Sequence, residues 1–323
     1  MRALRYDRFG PPDVLYVADV PVPRPSPGEL RVRVRAAALN PLDWKIRDGH
    51  LKLVPLFDRP PRGVGVDFAG DVVEAGPAVA GIRPGDAVFG SLSPFRRQGA
   101  IAEFVCVAPG DVATMPPELD YAAAAALPIA GGTALQALRD DARVAAGRRV
   151  LVTGAAGGVG HFAVQIAKHA GTHVTGVCGP ANVDFVRSLG ADAVVDYARE
   201  DFTRRRERYD VVFDAAGASS FFACRGVLAA DGVYANTAGT TAAAVHTGVA
   251  SVLARLTSRQ RAVNVVVRPG AALWARLADL AAQGVLAPHV AQTIGIDGVA
   301  EAQRRMETGH GRGKIVVVIG GAA

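Results

Sequence analysis

The chain has 323 residues, of which half are hydrophobic and a fifth are charged. These proportions are typical of a folded protein with room for two domains, and they exclude a disordered chain. The net charge of +6 does not indicate a nucleic-acid partner, because the densest basic run, 204–208, stands between two strand-like segments and no nucleic-acid motif accompanies it.

Cysteine usage and the uncharged stretches indicate in which cellular compartment the protein is expected. The three cysteines are widely spaced and odd in number, so we expect no disulfide framework and a reducing environment. The first seven residues lack the apolar core of an export signal. Two uncharged stretches, 121–138 and 232–254, are alanine-rich and interrupted, so neither is expected to cross a membrane. We therefore expect a cytoplasmic protein that binds neither membrane nor nucleic acid.

Short strands and turns fill the chain up to about residue 120. Residues 30–35 alternate apolar and polar side chains with the period of a half-buried strand. Further strand-like runs lie at 68–73 and 87–89, and Gly and Pro mark the turns between them. This pattern predicts a barrel-like β domain. The apolar run 314–319 predicts a last strand that returns to the same domain.

From about residue 121, apolar strands alternate with segments of helical length. The predicted elements are strand 149–153, helix 159–170, strand 173–177, helix 182–189, and strands 193–195, 211–213, 233–235 and 263–267. Near-continuous apolar strands that alternate with helices predict a parallel sheet covered on both faces. A turn is predicted at Asp231-Gly232, and an amphipathic helix is predicted over 271–282.

The sharpest motif is the glycine-rich turn at 154–160, between a buried strand and a helix. Glycines let the backbone approach a pyrophosphate, whose charge then meets free N–H groups at the helix N-terminus. The strand before the turn, the helix after it and the next strand are all present, as the motif requires. The turn therefore predicts a Rossmann dinucleotide site.

The choice of dinucleotide depends on the end of the second strand, at 178–182. A site specific for NAD usually carries Asp or Glu there to bind the ribose hydroxyls. The first acid after the strand is Asp184, inside the next predicted helix, which favours NADPH. No Arg or Lys stands at 178–182 to bind its phosphate either, so NADH stays open.

Several ordered motifs extend over essentially the whole chain. Besides the glycine turn they are Asn40-Pro41-Leu42-Asp43, Gly65-Val66-Asp67-Phe68-Ala69-Gly70, Pro84-Gly85-Asp86-Ala87-Val88, Ala126-Leu127-Pro128, Gly132-Thr133-Ala134, Leu189-Gly190-Ala191-Asp192, Asp196-Tyr197 and Gly313-Lys314. Together they resemble the zinc-free quinone oxidoreductase (zeta-crystallin-like) branch of the medium-chain dehydrogenase/reductase superfamily. The resemblance implies a Rossmann domain, 122–268, inserted into a GroES-like, mostly β catalytic domain formed by 1–121 and 269–323. It also implies a homodimer.

The resemblance further implies that no metal is bound. Zinc-dependent members of the superfamily carry a Cys near the position of Asn40 and a Gly-His-Glu where this chain has Gly65-Val66-Asp67. They also carry a lobe with four closely spaced cysteines. This chain lacks the Cys and the His, and its three scattered cysteines cannot form a four-cysteine site.

The activity implied by the resemblance is hydride transfer from NADPH to the β-carbon of an enone, enal or quinone. Asn40 is implied to lie beside the nicotinamide. Lys45 stands where related members carry Tyr, so it is a candidate polar contact or proton source. The residues implied to bind the cofactor are Asn40, Thr133, Gly154, Ala155, Gly157, Gly158, Val159, Cys178, Gly179, Tyr197, Gly217, Gly313 and Lys314. The catalytic candidates are Asn40 and Lys45.

Simpler interpretations and two other functions also fit the sequence. Asn40 before Pro41 suits a turn, and Lys314 at a strand start suits an exposed charge. The scaffold also fits an enoyl-thioester reductase or a redox-neutral cyclase, with the alanine-rich segment 240–253 lining an enlarged apolar pocket. A protein that binds the dinucleotide without turnover fits too, because Gly179 and Ala181 replace the Ser and the basic residue of many NADP-using members.

Overall fold

The computed structural model describes residues 1–50, 52, 59–237, 259–309 and 311–320. The chain separates into unit 1, formed by 1–132 and 268–323, and unit 2, formed by 133–267. The sequence places the first boundary at 122, so residues 122–132 lie with unit 1 rather than with the inserted domain. The exact domain limits stay a prediction.

A large, mostly antiparallel sheet forms the body of unit 1. In spatial order its strands are β15 (Val290–Ile294), β16 (Lys314–Val318), β3 (Leu30–Ala38), β5 (Asp67–Ala75), β6 (Ala87–Ser91) and β8 (Val112–Thr114), and β7 (Phe104–Val107) also pairs with β3. In β3, Leu30, Val32 and Val34 are buried, while the arginines between them are not. This is the predicted alternation of a half-buried strand. A smaller sheet joins β2 (Tyr16–Asp19), β1 (Arg2–Tyr6) and β4 (Arg62–Gly63).

Short helices accompany the sheets of unit 1. They are α1 (Pro41–Arg47), α2 (Tyr121–Ala126), α7 (Ala271–Ala282) and α8 (Val299–Glu307), and α3 (Pro128–Leu135) begins there. Helix α7 has the predicted bounds. The sequence analysis missed α8 because that helix is mostly polar and buries only Val299, Ala302 and Gln303. Val299 and Ala302 pack into the core that Val32 and Phe68 also line.

Within the described residues, unit 2 holds a six-stranded parallel sheet. In spatial order its strands are β11 (Ala193–Asp196), β10 (His173–Cys178), β9 (Arg149–Thr153), β12 (Tyr209–Asp214), β13 (Leu228–Asn236) and β14 (Arg261–Asn264). Strand β9 is buried except at its first residue, as its apolar sequence predicts. The helices α4 (Gly160–His169), α5 (Val183–Ser188) and α6 (Phe221–Cys224) connect these strands. The predicted α/β class with a Rossmann sheet is confirmed.

Two predicted features at the β13 side of the sheet have other bounds in the structure. The turn predicted at Asp231-Gly232 lies inside β13, whose pairing with β12 shifts register there, so that Tyr209 pairs with Leu228 but Val211 with Val233. The residues of β13 between Leu228 and Val233 that have no partner in β12 form an irregularity within the strand. The strand predicted at 263–267 is β14, which pairs with β13 through residues 261–264. Pairing, rather than the β propensity of the valines that follow, sets its end.

No helix in the described part of the chain is long and apolar enough to cross a bilayer. The uncharged stretch 121–138 folds as α2, α3 and the start of a π-helical segment, Gln136–Asp141. Most of the second uncharged stretch, from 238 onwards, lies outside the described residues.

Candidate active site

A buried polar cluster lies where β3 leads into α1. Asn40 caps α1 and is only 3% exposed. Asp43 reaches back, so that its Oδ2 accepts a hydrogen bond of 2.7 Å from the Asn40 N–H. In such a capping box, an acidic side chain in the first turn satisfies the N–H of the cap residue. Pro41, with its fixed φ, suits the first helical position. The helix start therefore fixes the backbone of Asn40.

The side chain of Asn40 lies between an acid and a base. Its Nδ2 donates to Asp67 Oδ2 at 2.8 Å, and its Oδ1 accepts from Lys314 Nζ at 2.6 Å. Lys314 Nζ also donates to Leu39 O at 3.0 Å. The Ile129 N–H lies 3.3 and 3.2 Å from the two oxygens of Asp67. Both polar ends of the amide are thus engaged, which fixes its orientation.

Burial governs the protonation of this cluster. Lys314 is 3% exposed, so the interpretation of Lys314 as a surface charge is wrong. Desolvation raises the pKa of Asp43 to about 7 and the pKa of Asp67 to about 6. Desolvation also lowers the pKa of Lys314, against the attraction of the two carboxylates. Two carboxyl groups and one ammonium group therefore share a region in which charge is costly.

We expect the contribution of Asp43 to the unfolding free energy to fall as the pH rises from about 4 to about 7. The pKa of Asp43 is about 7 in the native state and about 4 in an unfolded chain. The native state therefore binds more protons than the unfolded state between these values. For one proton the loss is at most about 1.4 kcal/mol per pH unit.

Chemical unfolding at several pH values measures this effect. Asp43→Asn keeps an oxygen that can accept from the Asn40 N–H, but it does not titrate. The unfolding free energy of Asp43→Asn minus that of the unchanged chain should rise with pH across the window. Asp184→Asn is the control, since the Asp184 side chain is 98% exposed. If Asp43→Asn gave the same pH trend as this control, the pKa of Asp43 would not be raised.

Lys45, predicted to be catalytic, lies on α1. Its side chain is half-buried, and its Nζ lies 5.7 Å from the centroid of the Trp44 ring. Desolvation lowers the pKa of Lys45, and no carboxylate of the described residues opposes that effect. An ammonium group on an aromatic face, without a carboxylate partner among the described residues, is suited to stabilise a developing negative charge.

The predicted glycine loop of unit 2 joins β9 to α4. Gly154 has φ +59°, in the left-handed region that favours glycine. No side chain caps the ten-residue helix α4. Within the described chain, the N–H groups of Gly158 and Val159 bond to no backbone carbonyl. Such N–H groups at the positive end of a helix bind anions, so the loop fits the pyrophosphate of a dinucleotide.

Other predicted cofactor residues lie beside this loop. The Ala155 N–H donates to Val177 O at 3.0 Å, and the Tyr197 N–H donates to Cys178 O at 3.1 Å. A Cβ at Gly179 would lie 2.8 Å from Tyr197 Oη. The Tyr197 side chain therefore closes over Gly179. The carboxyl ends of β10 and β11 meet the glycine loop here, where open α/β sheets bind their ligands.

Gly217, Thr133 and Gly313 complete the predicted set. Gly217 has φ +65° in the loop that follows β12. Thr133 is buried in α3. Gly313 has φ +56°, and a Cβ there would lie 2.2 Å from His289 O. The residue before Lys314 must therefore be glycine. Unit 1 thus brings Asn40 and Lys314 together, and unit 2 gathers the glycine loop with residues 178, 179 and 197.

Three acidic residues that the sequence analysis did not select hold these groups in place. Asp43 and Asp67 flank Asn40, and Asp214 accepts from Thr153 Oγ1 at 2.5 Å, beside the glycine loop. Asp43 had a signal, because Asn followed by Asp three residues later is the spacing of a capping box. The bonds of Asp67 to Asn40 and of Asp214 to Thr153 span 27 and 61 residues, so no local pattern marks them.

The described residues contain no cluster of potential metal ligands. Within the described ranges, no group of three or more His, Cys, Asp or Glu side chains could hold a metal ion. Cys106, Cys178 and Cys224 are buried free thiols. The absence of zinc stays a prediction from the residues at 40 and 66.

Family models match both parts of the chain. Residues 26–117 match the alcohol dehydrogenase GroES-like domain, and residues 189–317 match the zinc-binding dehydrogenase model. The first match lies in unit 1 and contains Asn40, Lys45 and Asp67. The predicted GroES-like character of this part is confirmed.

Individual relatives extend the similarity to the whole chain. The chloroplast envelope quinone oxidoreductase homolog of Arabidopsis thaliana is 35% identical, with 98% of each chain covered. The chloroplastic NADPH-dependent alkenal/one oxidoreductase of Arabidopsis thaliana is 38% identical over 67% of this chain and 58% of its own length. The solved quinone oxidoreductase from Coxiella burnetii has a TM-score of 0.88 and 32% identity, and 99% of each chain is covered.

Proposed function

We propose that this chain, which belongs to the quinone oxidoreductase branch of the medium-chain dehydrogenase/reductase superfamily, transfers hydride from NAD(P)H to a quinone or an α,β-unsaturated carbonyl compound. The observation that carries the proposal is the glycine loop, whose uncapped helix start suits a dinucleotide. Relatives named as quinone and alkenal/one oxidoreductases support the substrate class. The bound nicotinamide supplies the hydride, and the chain supplies binding, orientation and electrostatics.

NADPH is the proposed donor. No acid stands at the end of β10, where an NAD site would bind the ribose hydroxyls. Gly179 leaves room there for Tyr197 Oη, which would lie only 2.8 Å from a Cβ at that position. A hydroxyl at the strand end is a neutral donor that can serve a phosphate or a ribose, so the preference for NADPH over NADH is a modest one.

Asn40 and Lys45 are the proposed active-site residues. The amide of Asn40 is fixed by Asp67 and Lys314, so it presents one orientation to a ligand. Lys45 carries an ammonium group without a described carboxylate partner. We assign it the role of stabilising the oxygen on which negative charge develops as hydride reaches the alkene. Its lowered pKa also favours release of a proton to that oxygen.

The finer features of the proposal come from the family pattern. The reaction runs without zinc, since Asn40 and Val66 occupy the positions of metal ligands in zinc-dependent relatives. The family pattern also supports a homodimer through an edge of the parallel sheet, and the odd number of widely spaced cysteines supports a cytoplasmic location. Size-exclusion chromatography with light scattering tests the dimer.

A fluorescence titration with NADPH and NADH, followed by 9,10-phenanthrenequinone or 2-cyclohexenone in the same cuvette, tests the function. We expect tighter binding of NADPH and steady oxidation after the acceptor is added. Lys45→Met should lower kcat about 10²-fold or more, as loss of a donor to a developing oxyanion does, with NADPH binding unchanged. Lys52→Met is the matched control, because Lys52 is exposed.

The other outcomes separate the alternatives. Binding without oxidation of NADPH would indicate a dinucleotide-binding protein without turnover. Conversion of a bulky substrate with no net change in NADPH would indicate a redox-neutral cyclase. The segment 240–253, which the sequence analysis assigned to an enlarged pocket, lies outside the described residues. Failure to bind either nucleotide would overturn the proposed function.

A further inference from the structure

One buried carboxylate lies where the strand order of the parallel sheet reverses. Asp214 ends β12 and is fully buried. In the pairing of β12 with β9, Asp214 lies beside Thr153, the last residue of β9. The glycine loop follows Thr153, and the loop 215–219 follows Asp214. The two loops therefore leave the sheet side by side, at the position where open α/β sheets bind ligands.

Four donors converge on the Asp214 carboxylate. Its Oδ1 accepts from Thr153 Oγ1 at 2.5 Å and from the Ala218 N–H at 3.2 Å. Its Oδ2 accepts from the Ser219 N–H at 2.9 Å and from Tyr234 Oη at 2.9 Å. All four of these donors are neutral groups. These hydrogen bonds compensate the burial of the carboxyl group, so each donor is held in place.

These contacts join the two loops. Thr153 immediately precedes Gly154, and the Ala218 and Ser219 amides belong to the loop that carries Gly217. A Cβ at Gly154 would lie 3.0 Å from Ala216 Cβ, so the loops also touch directly. Thr237 Oγ1, beyond β13, donates to Ala215 O at 3.3 Å. The glycine loop and the loop 215–219 are thus held as one surface around Asp214.

We infer that Asp214 is a positioning residue for the dinucleotide, which holds the loop 215–219 against the glycine loop so that both meet the cofactor in one arrangement. The inference rests on the proposed function for the identity of the ligand. Asp214 has no exposed surface and so does not touch the cofactor. A residue that served only the stability of the sheet would act equally on the whole unit, whereas Asp214 bonds to Thr153, the strand residue that leads into the glycine loop, and to two amides of the loop 215–219.

Thr153→Val is the decisive variant, because it keeps the shape of the side chain and removes the donor that links Asp214 to the start of the glycine loop. We expect its Kd for NADPH to rise about tenfold, which corresponds to about 1.4 kcal/mol. The KM for NADPH should rise with it, while kcat at saturating NADPH stays within about twofold. Thr172→Val is the matched control. Thr172 is also 3% exposed and donates to Ala167 O at 2.8 Å, but it lies just before the first residue of β10, at the end of the strand away from the glycine loop.

Asp214→Asn tests the other loop without any cofactor. Asparagine keeps one of the two acceptor oxygens and places an NH2 group against a donor at the other, so at least one of the Ala218 and Ser219 amides should exchange with deuterium faster in the free protein. The inference is overturned if Thr153→Val lowers Tm like Thr172→Val but leaves the Kd for NADPH unchanged. Failure of the unchanged protein to bind NADPH would instead overturn the proposed function, and the inference would fail with it.

Discussion

Replacing Lys314 with methionine is expected to lower the unfolding free energy by about 3–5 kcal/mol near pH 8, the usual cost of leaving a buried charge without its partner. The Lys314 ammonium donates to Leu39 O and Asn40 Oδ1, and its charge offsets those of Asp43 and Asp67. Methionine has a similar length but no donor and no charge. The loss should be smaller near pH 5, where both carboxyl groups take up protons.

Guanidinium unfolding at both pH values measures the loss, and Lys168→Met provides the matched control. Lys168 Nζ lies 2.5 Å from Asp192 Oδ1, but these side chains are 42% and 28% exposed. Its loss is expected to cost no more than about 1 kcal/mol. The double variant Asp67→Asn/Lys314→Met should recover part of the stability, because it removes one of the two isolated charges. Equal losses for the two lysine variants would show that burial of Lys314 does not set its contribution.

The parallel sheet of unit 2 was predictable because its signals are local. The predicted strand 149–153 matches the structure residue for residue, and helix 159–170 differs from α4 by one residue at each end. Strands buried on both faces are continuously apolar, and the turns between them carry glycine. The glycine loop could be predicted from a short stretch of sequence, since the strand, the turn and the helix follow one another directly.

The polar cluster of unit 1 was not predictable in this way. Asn40 and Lys314, which share a hydrogen bond, are separated by 274 residues. The sequence at 314 shows only a lysine before an apolar run, which suits an exposed strand start equally well. Lys314 is buried because β16 pairs with β3, which places Lys314 at the end of β3, next to Asn40. Long-range strand pairing therefore converts an apparent surface charge into a buried one.

A common principle underlies both sets of site residues. Buried acids that the sequence analysis did not select bond to the Asn40 amide and to Thr153, the residue that precedes Gly154. In unit 1 these acids are Asp43 and Asp67, and in unit 2 it is Asp214. Each of these acids accepts at least one hydrogen bond from a neighbouring group, and a hydrogen-bonded network fixes geometry. Substitutions at these acids should therefore act on ligand binding through orientation.

Gly160→Ala is expected to weaken NADPH binding by at least about tenfold and to lower the unfolding free energy by about 1–3 kcal/mol, the usual cost of overpacking. A Cβ at Gly160 would lie 2.0 Å from Gly154 O and 2.8 Å from Ala155 Cα. Both neighbours are backbone atoms, so no side chain can rotate away to make room. The glycine loop itself must move from the start of α4, which separates the free N–H groups from the helix end that favours an anion.

Fluorescence titration with NADPH and thermal unfolding of the same sample measure the two effects of Gly160→Ala. Gly295→Ala is the matched control, since Gly295 has φ −79° and a Cβ there would meet nothing within 4 Å. It is expected to leave NADPH binding unchanged and to raise stability slightly, by about 0.4–1 kcal/mol, through the entropy of the unfolded chain. Full NADPH affinity in Gly160→Ala would mean that the contact between the loop and α4 is not needed for binding. The pyrophosphate would then have to be held elsewhere, and the assignment of the glycine loop as its cradle would be wrong.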